Sequence, residues 1–266
     1  MTTWSVEEHA VAGRDNGPYA ITTGPDGALW FTMVHSGRIG RLVPGQKPTS
    51  HQLAPDSGPT VISNGPDGAL WFTEYRAHRI GRITTAGHVT EFALPTAQCA
   101  PFGIAAAGDA LWFTMNQANA LGRIDMDGSI TVHELPTAAA SPVGIAVGPD
   151  GAVWFTEIAA GQIGRRAPDG RITEYPLPDR SARPHAVTTD ADGTAWFTEW
   201  GGNRVGSITS DGVVTAHDLP TPASEPHGIT VGPDGALWTA LETGSLARIG
   251  ATTGITTRNT EQGNAS

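Results

Sequence analysis

Short apolar runs alternate with Gly, Pro and Asp clusters along all 266 residues, and no window carries a helical period. Between Ser141 and Pro178 the runs are "VGIAVG", "AVWFTE", "QIGRRA" and "RITEYPLP", separated by "PDG", "IAAG" and "PDG". Each run has strand length and is rich in β-branched or aromatic residues, while the Asp-Gly pairs supply the positive φ that tight hairpins require. The pattern predicts a four-stranded antiparallel meander.

That meander recurs. Trp30, Trp71, Trp112, Trp154, Trp196 and Trp238 are spaced by 41, 41, 42, 42 and 42 residues, each in a phrase such as "GPDGALWFT". A four-stranded unit of about forty residues is the signature of a propeller blade. The expected fold is therefore all-β, a β-propeller of six Trp-bearing repeats forming a single domain over residues 1–266. A lone blade cannot bury both its faces, so the Trp side chains are expected to pack between blades. The recurring "RIGR" glycines are expected where a neighbouring backbone comes close. Seven outer-strand phrases accompany the six Trp units. We assign Ser5 to Val11 as the strand that closes the last blade, and residues 255–266 as a C-terminal tail. The ring is expected to be closed.

Composition narrows the partners. Gly and Pro number 34 and 20 and apolar residues make up 39%, which suits a turn-rich globular chain. The formal net charge of −10 repels phosphate backbones and anionic lipid, so neither nucleic acid nor membrane is expected as a partner. No segment has the length of a signal-peptide core or a membrane span, and the lone Cys99 cannot form an intrachain disulfide. A cytoplasmic monomer with a buried structural thiol is expected.

Candidate chemistry lies where the repeat breaks its own pattern. The loop entering the innermost strand and the loop leaving the second strand share one face of a blade, at the mouth of the central channel. After the entering Pro the six repeats carry Tyr19, Thr60, Phe102, Val143, His185 and His227, and before it Gly17, Gly58, Ala100, Ser141, Arg183 and Glu225. After the second strand most repeats place Glu or Met, as at Glu74, Glu157 and Glu199, whereas the last has Leu241 followed by Glu242. Taken singly, either His is a channel-lining residue, and Glu74, Glu157 and Glu199 brace the rim or pair with Arg. Arg183 fits rim pairing and substrate contact equally. Two imidazoles and two displaced carboxylates on one rim favour a site. Paired carboxylates suit Mg²⁺ better than zinc, because a hard cation takes oxygen ligands and leaves positions for substrate oxygens. A neutral His beside such a cation is a competent general base.

The phrases "SARPHAV", "SEPHGI" and "WTALE", set among repeated "WFTE" and "IGRI", resemble the virginiamycin B lyase (streptogramin B lyase) family across nearly the whole chain. The resemblance implies a lyase that confers antibiotic resistance by opening cyclic streptogramin B depsipeptides at the ester through Mg²⁺-dependent elimination. It places the base at His227, metal carboxylates at Glu225 and Glu242, and a substrate-binding imidazole at His185. It also implies seven blades where six repeats are counted, which bears on the fit of substrate across the channel. The residues alone leave two alternatives: a metal-dependent propeller lactonase or esterase, and a non-catalytic propeller that binds a ligand or protein at its rim.

Overall fold

In the computed structural model, residues 18–232, 235–243 and 245–250 are described, and all their regular structure is β. Blade 1 comprises β1 to β4, Ile21–Thr23, Leu29–Met33, Arg38–Leu42 and Thr49–Gln52. Blade 2 comprises β5 to β8, Pro59–Asn64, Leu70–Glu74, Arg79–Ile83 and Val89–Ala93. Blade 3 follows as β9 to β12, Pro101–Ala107, Ala110–Met115, Ala120–Asp125 and Ile130–Glu134. Blade 4 is β13 to β16, Pro142–Val147, Val153–Glu157, Gln162–Arg166 and Ile172–Pro176. Blade 5 is β17 to β20, Pro184–Thr189, Ala195–Glu199, Arg204–Ile208 and Val214–Asp218. Blade 6 shows β21 to β23, Pro226–Val231, Leu237–Leu241 and Ser245–Ile249. Each blade is an antiparallel meander in chain order, the first five with four strands and the sixth with three among the described residues. The β-propeller read from the sequence is the fold observed. The expected closing strand at 5–11 and tail at 255–266 lie outside the described residues. Among the described residues no helix is long and apolar enough to cross a membrane.

The repeated residues explain the packing. In blades 1 to 4 the Trp of the second strand does lie between blades: Trp30 and Ile39 of blade 1 pack with Ile62, Leu70 and Phe72 of blade 2, and Trp154 and Ile163 of blade 4 with Val187 and Phe197 of blade 5. In the turn before it an Asp fixes the indole, as Asp26 Oδ1 does for Trp30 Nε1 at 3.0 Å and Asp67 Oδ1 for Trp71 Nε1 at 3.0 Å. An outer-strand ring then stacks on the indole, such as His51 on Trp30 or Phe92 on Trp71. Adjacent blades are tied by a buried Thr of the second strand that donates to the next inner strand. Thr32 Oγ1 reaches the Thr60 carbonyl at 2.6 Å, and Thr73 Oγ1 the Phe102 carbonyl at 2.6 Å.

The "RIGR" glycines have a different cause from the expected one. No backbone crowds them; the ring of the cross-strand Phe does. A Cβ on Gly40 would lie 2.1 Å from Phe31 Cε2, and one on Gly164 2.1 Å from Phe155 Cε2. Blade 6 departs at both places together, pairing Thr239 with Ala247 where the others pair Phe with Gly. The smaller side chain leaves room for the methyl.

Inner strands β1, β5, β9, β13, β17 and β21 follow one another around the channel, each packing on the next, and the expected closure between blades 6 and 1 falls on residues outside the described ones.

Candidate functional site

His185 and His227 are each the second residue of an inner strand, immediately after its Pro. A bond from the preceding blade pins each backbone: Thr156 Oγ1 donates to the His185 carbonyl at 2.7 Å and Thr198 Oγ1 to the His227 carbonyl at 2.9 Å. The two rings meet edge to face with centroids 4.8 Å apart. His185 is half-buried, and its Nδ1 is shielded from water with no partner among the described residues. Burial, then the neighbouring His227, holds its pKa down at about 4, so its imidazole is neutral.

Glu225 occupies the left-handed position before the inner-strand Pro, at φ 48°, as do Gly58, Ala100, Ser141 and Arg183 at 57°, 49°, 53° and 51° in the other blades. Its conformation therefore belongs to the loop and not to the carboxylate. Ser224 fixes that loop: its N and Oγ donate to Asn203 Oδ1 at 2.7 and 2.6 Å, and its carbonyl accepts from Glu242 N at 2.9 Å. These bonds bring the loops before β21 and after β22 together. Glu242 Oε1 then lies 2.6 Å from His227 Nε2. The Glu225 and Glu242 carboxyls share a hydrogen bond. It pushes Glu225 up and Glu242 down from the usual carboxylate value. The structure thus gathers Glu225, His227 and Glu242, with His185 against His227. No group of three or more His, Cys, Asp and Glu side chains surrounds a common metal position among the described residues.

The other acids divide. Glu199 accepts from Arg204 Nε at 2.6 Å, the Arg pairing expected of it. Glu74 does not pair with Arg: Arg79 turns to Glu91 at 2.5 Å, and burial lifts Glu74 to about 7. Glu157 accepts from Gln162 and is lifted to about 8, mainly by burial. None of the three lines the cavity at the channel mouth. Cys99 is buried, with its pKa pushed up to about 11 by that burial, as a structural thiol should be.

Trp200 belongs to the site and escaped the sequence reading. Its ring stands edge-on to His227, centroids 6.4 Å apart, and the Arg183 guanidinium lies over it at 5.3 Å. The available signal was a Trp outside the repeat register, directly after "WFTE". On the other side of His185, Phe102 stands edge-on at 6.0 Å and is flanked by Tyr75 and Tyr19 at 6.0 and 6.4 Å. His185, His227 and Glu242 thus open into a cavity of about 750 Å³ with aromatic and aliphatic walls. Such a space admits a drug-sized ring and offers it a few convergent polar groups.

The model of the virginiamycin B lyase family matches residues 4–110 and 104–249. The chain belongs to the virginiamycin B lyase family. A solved structure of selenomethionine-substituted virginiamycin B lyase from Staphylococcus aureus is 40% identical with a TM-score of 0.88, over 92% of this chain and 84% of that one. A catalytically inactive His-to-Ala form of the Staphylococcus aureus enzyme, solved with quinupristin, is 34% identical with a TM-score of 0.85, over 91% of this chain and 87% of that one. A virginiamycin B lyase from Saccharopolyspora erythraea is 59% identical over 51 residues, a stretch spanning 19% of this chain and 17% of that protein.

Proposed function

We propose that this chain is a carbon–oxygen lyase that linearises cyclic streptogramin B depsipeptides at their ester by β-elimination. The observation that carries the reading is the contact between His227 Nε2 and Glu242 Oε1 at 2.6 Å, beside Glu225 and His185 in one cavity. Family membership and the relative solved with quinupristin support the substrate class.

In the tautomer that donates Nε2–H to Glu242, His227 keeps the Nδ1 lone pair and is oriented as a general base. It takes the α-proton of the threonine unit. The electron pair forms the Cα=Cβ bond, the Cβ–O bond breaks, and the ester carboxylate departs. His185, neutral and lining the cavity beside His227, is placed to contact the ester. Trp200 and Phe102 flank the two imidazoles and limit water around them.

Glu225 and Glu242 would hold the Mg²⁺. Two adjacent carboxylates are the donors a hard cation takes, with the rest of its shell drawn from water and substrate oxygens. A bound Mg²⁺ supplies charge stabilisation to a carbonyl oxygen that gains negative charge as the α-proton leaves.

The test is incubation with quinupristin and Mg²⁺, with the product weighed by mass spectrometry. Elimination gives a linear product of unchanged mass ending in a dehydrated threonine unit, and His227→Ala lowers turnover by about 10²–10⁴. A product about 18 Da heavier would replace the lyase with a lactonase or esterase using water as nucleophile. Undiminished turnover in His227→Ala would remove His227 as the base.

A further inference from the structure

The rim of blade 5 is a register copy of the rim of blade 6 with a cation in place of the acids. Arg183, His185 and Trp200 stand where Glu225, His227 and Glu242 stand one repeat later: before the inner-strand Pro, after it, and directly past the second strand. The backbones agree, with φ 51° at Arg183 and 48° at Glu225. In each blade the first of the three side chains meets the third. The Glu225 and Glu242 carboxyls share a hydrogen bond, whereas the Arg183 guanidinium lies over the Trp200 ring at 5.3 Å. Trp200 N also donates to the Arg183 carbonyl at 3.1 Å, so the two loops are tied together. An indole attracts the charge of a guanidinium without consuming its N–H donors, which stay available to an acceptor.

Elimination creates such an acceptor. The ring ester is neutral; when its Cβ–O bond breaks, both electrons of that bond stay on oxygen, and a carboxylate is left beside the imidazole that contacts the ester. That imidazole is His185, which lines the cavity against His227, and Arg183 precedes it on the same rim with only Pro184 between them. We infer that Arg183, seated on Trp200, is the group that receives the carboxylate released from the ester. The inference rests on the proposed reading for the reaction, and on the blade 5 rim for the cation. A guanidinium offers paired N–H donors that match a carboxylate, and gains much less from a neutral ester. The contact therefore strengthens as the bond breaks, and it acts on kcat more than on KM. Arg183 is exposed, so salt screens the attraction and the product can leave.

The test compares two synthetic linear peptides by titration calorimetry on the full chain, in Mg²⁺ and again in EDTA. One is the elimination product as its C-terminal acid, the other the same peptide as its C-terminal amide. Wild type should bind the acid about tenfold more tightly, ~1.4 kcal/mol, under both conditions, and the preference should shrink as NaCl rises. Arg183→Ala should bring the acid to within twofold of the amide in EDTA and leave the amide unchanged. Ala100 holds the same left-handed position in blade 3 at φ 49°, so this variant adds no backbone strain. Arg183→Lys keeps the charge without the fork and should fall between. With quinupristin, Arg183→Ala should lower kcat about tenfold and leave KM within twofold. Equal wild-type affinities for acid and amide in EDTA, equal losses of both in Arg183→Ala, or binding of neither peptide would overturn the role of Arg183. The mass of the wild-type product from quinupristin decides the lyase reading separately. Unchanged mass with no preference for the acid removes Arg183 alone. A preference for the acid with a product about 18 Da heavier keeps the carboxylate site and removes the elimination.

Discussion

Replacing Glu157 by Gln should make the protein more stable in alkali and leave it nearly unchanged in mild acid. Glu157 ends β14 with its side chain fully buried. Gln162 donates to one carboxylate oxygen, while the other finds no donor among the described residues. Burial, opposed by the Gln162 bond and reinforced by Glu174, lifts the carboxyl from the usual 4.5 to about 8. Because the folded state holds the proton more tightly than the unfolded chain, the stabilisation is complete below about pH 4.5. It is lost as pH rises through about 8. The span from 4.5 to about 8 corresponds to ~5 kcal/mol at 1.36 kcal/mol per pH unit, and relaxation of the surroundings on ionisation reduces the realised loss to roughly 2–3 kcal/mol. Gln at this position has no proton to lose. Its carbonyl still accepts from Gln162, and its amide can donate toward Glu174 as the protonated acid does. Urea unfolding at pH 5, 7 and 9 should show the variant matching wild type at pH 5 and exceeding it by ~2–3 kcal/mol at pH 9. At 2–4 °C per kcal/mol for a chain of this size, the rise in Tm at pH 9 is about 4–12 °C. Glu199→Gln is the contrast, since it removes the charge that Arg204 faces at 2.6 Å and should destabilise the protein at pH 7. Parallel stability curves for wild type and Glu157→Gln across this range would show that the carboxyl is not held protonated, and the reasoning would fail.

The pairing of Phe with Gly predicts opposite tolerances at equivalent places: Gly164→Ala drives a methyl into the Phe155 ring at 2.1 Å and should cost about 1–3 kcal/mol. Ala247→Gly, opposite Thr239, should cost only ~0.5–1 kcal/mol from backbone entropy; equal losses in urea unfolding would refute the ring-crowding explanation. On the proposed reading, EDTA should abolish quinupristin opening and added Mg²⁺ restore it, and Glu242→Gln should move the Mg²⁺ requirement to higher concentration. Activity indifferent to chelation would dismiss the cation.

The meander, the blade count and the inward Trp were legible because each depends on a local period or on a residue that every copy repeats. His185, His227, Glu225 and Glu242 were legible for the complementary reason: equivalent positions in a repeat share a location, so a change of residue type there stands out against the other copies. What was not legible depended on the partner of a residue and not on its register. Glu74, Glu157 and Glu199 occupy one register position, yet only Glu199 pairs with an Arg, Arg204, which it shares with Asp179. The third strand begins with Arg79, Gln162 and Arg204 respectively, and Arg79 is diverted by Glu91. Trp200 was hidden because its role comes from a contact between adjacent blades, with His227 of blade 6. The glycine of "RIGR" was misread for a similar cause: its crowding comes across the strand pair, from a Phe nine residues earlier in the chain.

The phrase "WTALE" condenses three departures from the repeat into one strand. Thr239 in place of Phe releases Ala247 from having to be glycine, and Ala240 in place of Thr removes the hydroxyl that would bind a following blade. Leu241 takes the position of the rim acids and moves the carboxylate one residue on, to Glu242, where it meets His227. The inner edge of blade 6 is held from blade 5. Thr198 fixes the His227 carbonyl, and Asn203 fixes Ser224, which in turn fixes Glu242. The geometry of the candidate base and both candidate metal ligands is therefore set at the boundary of blades 5 and 6.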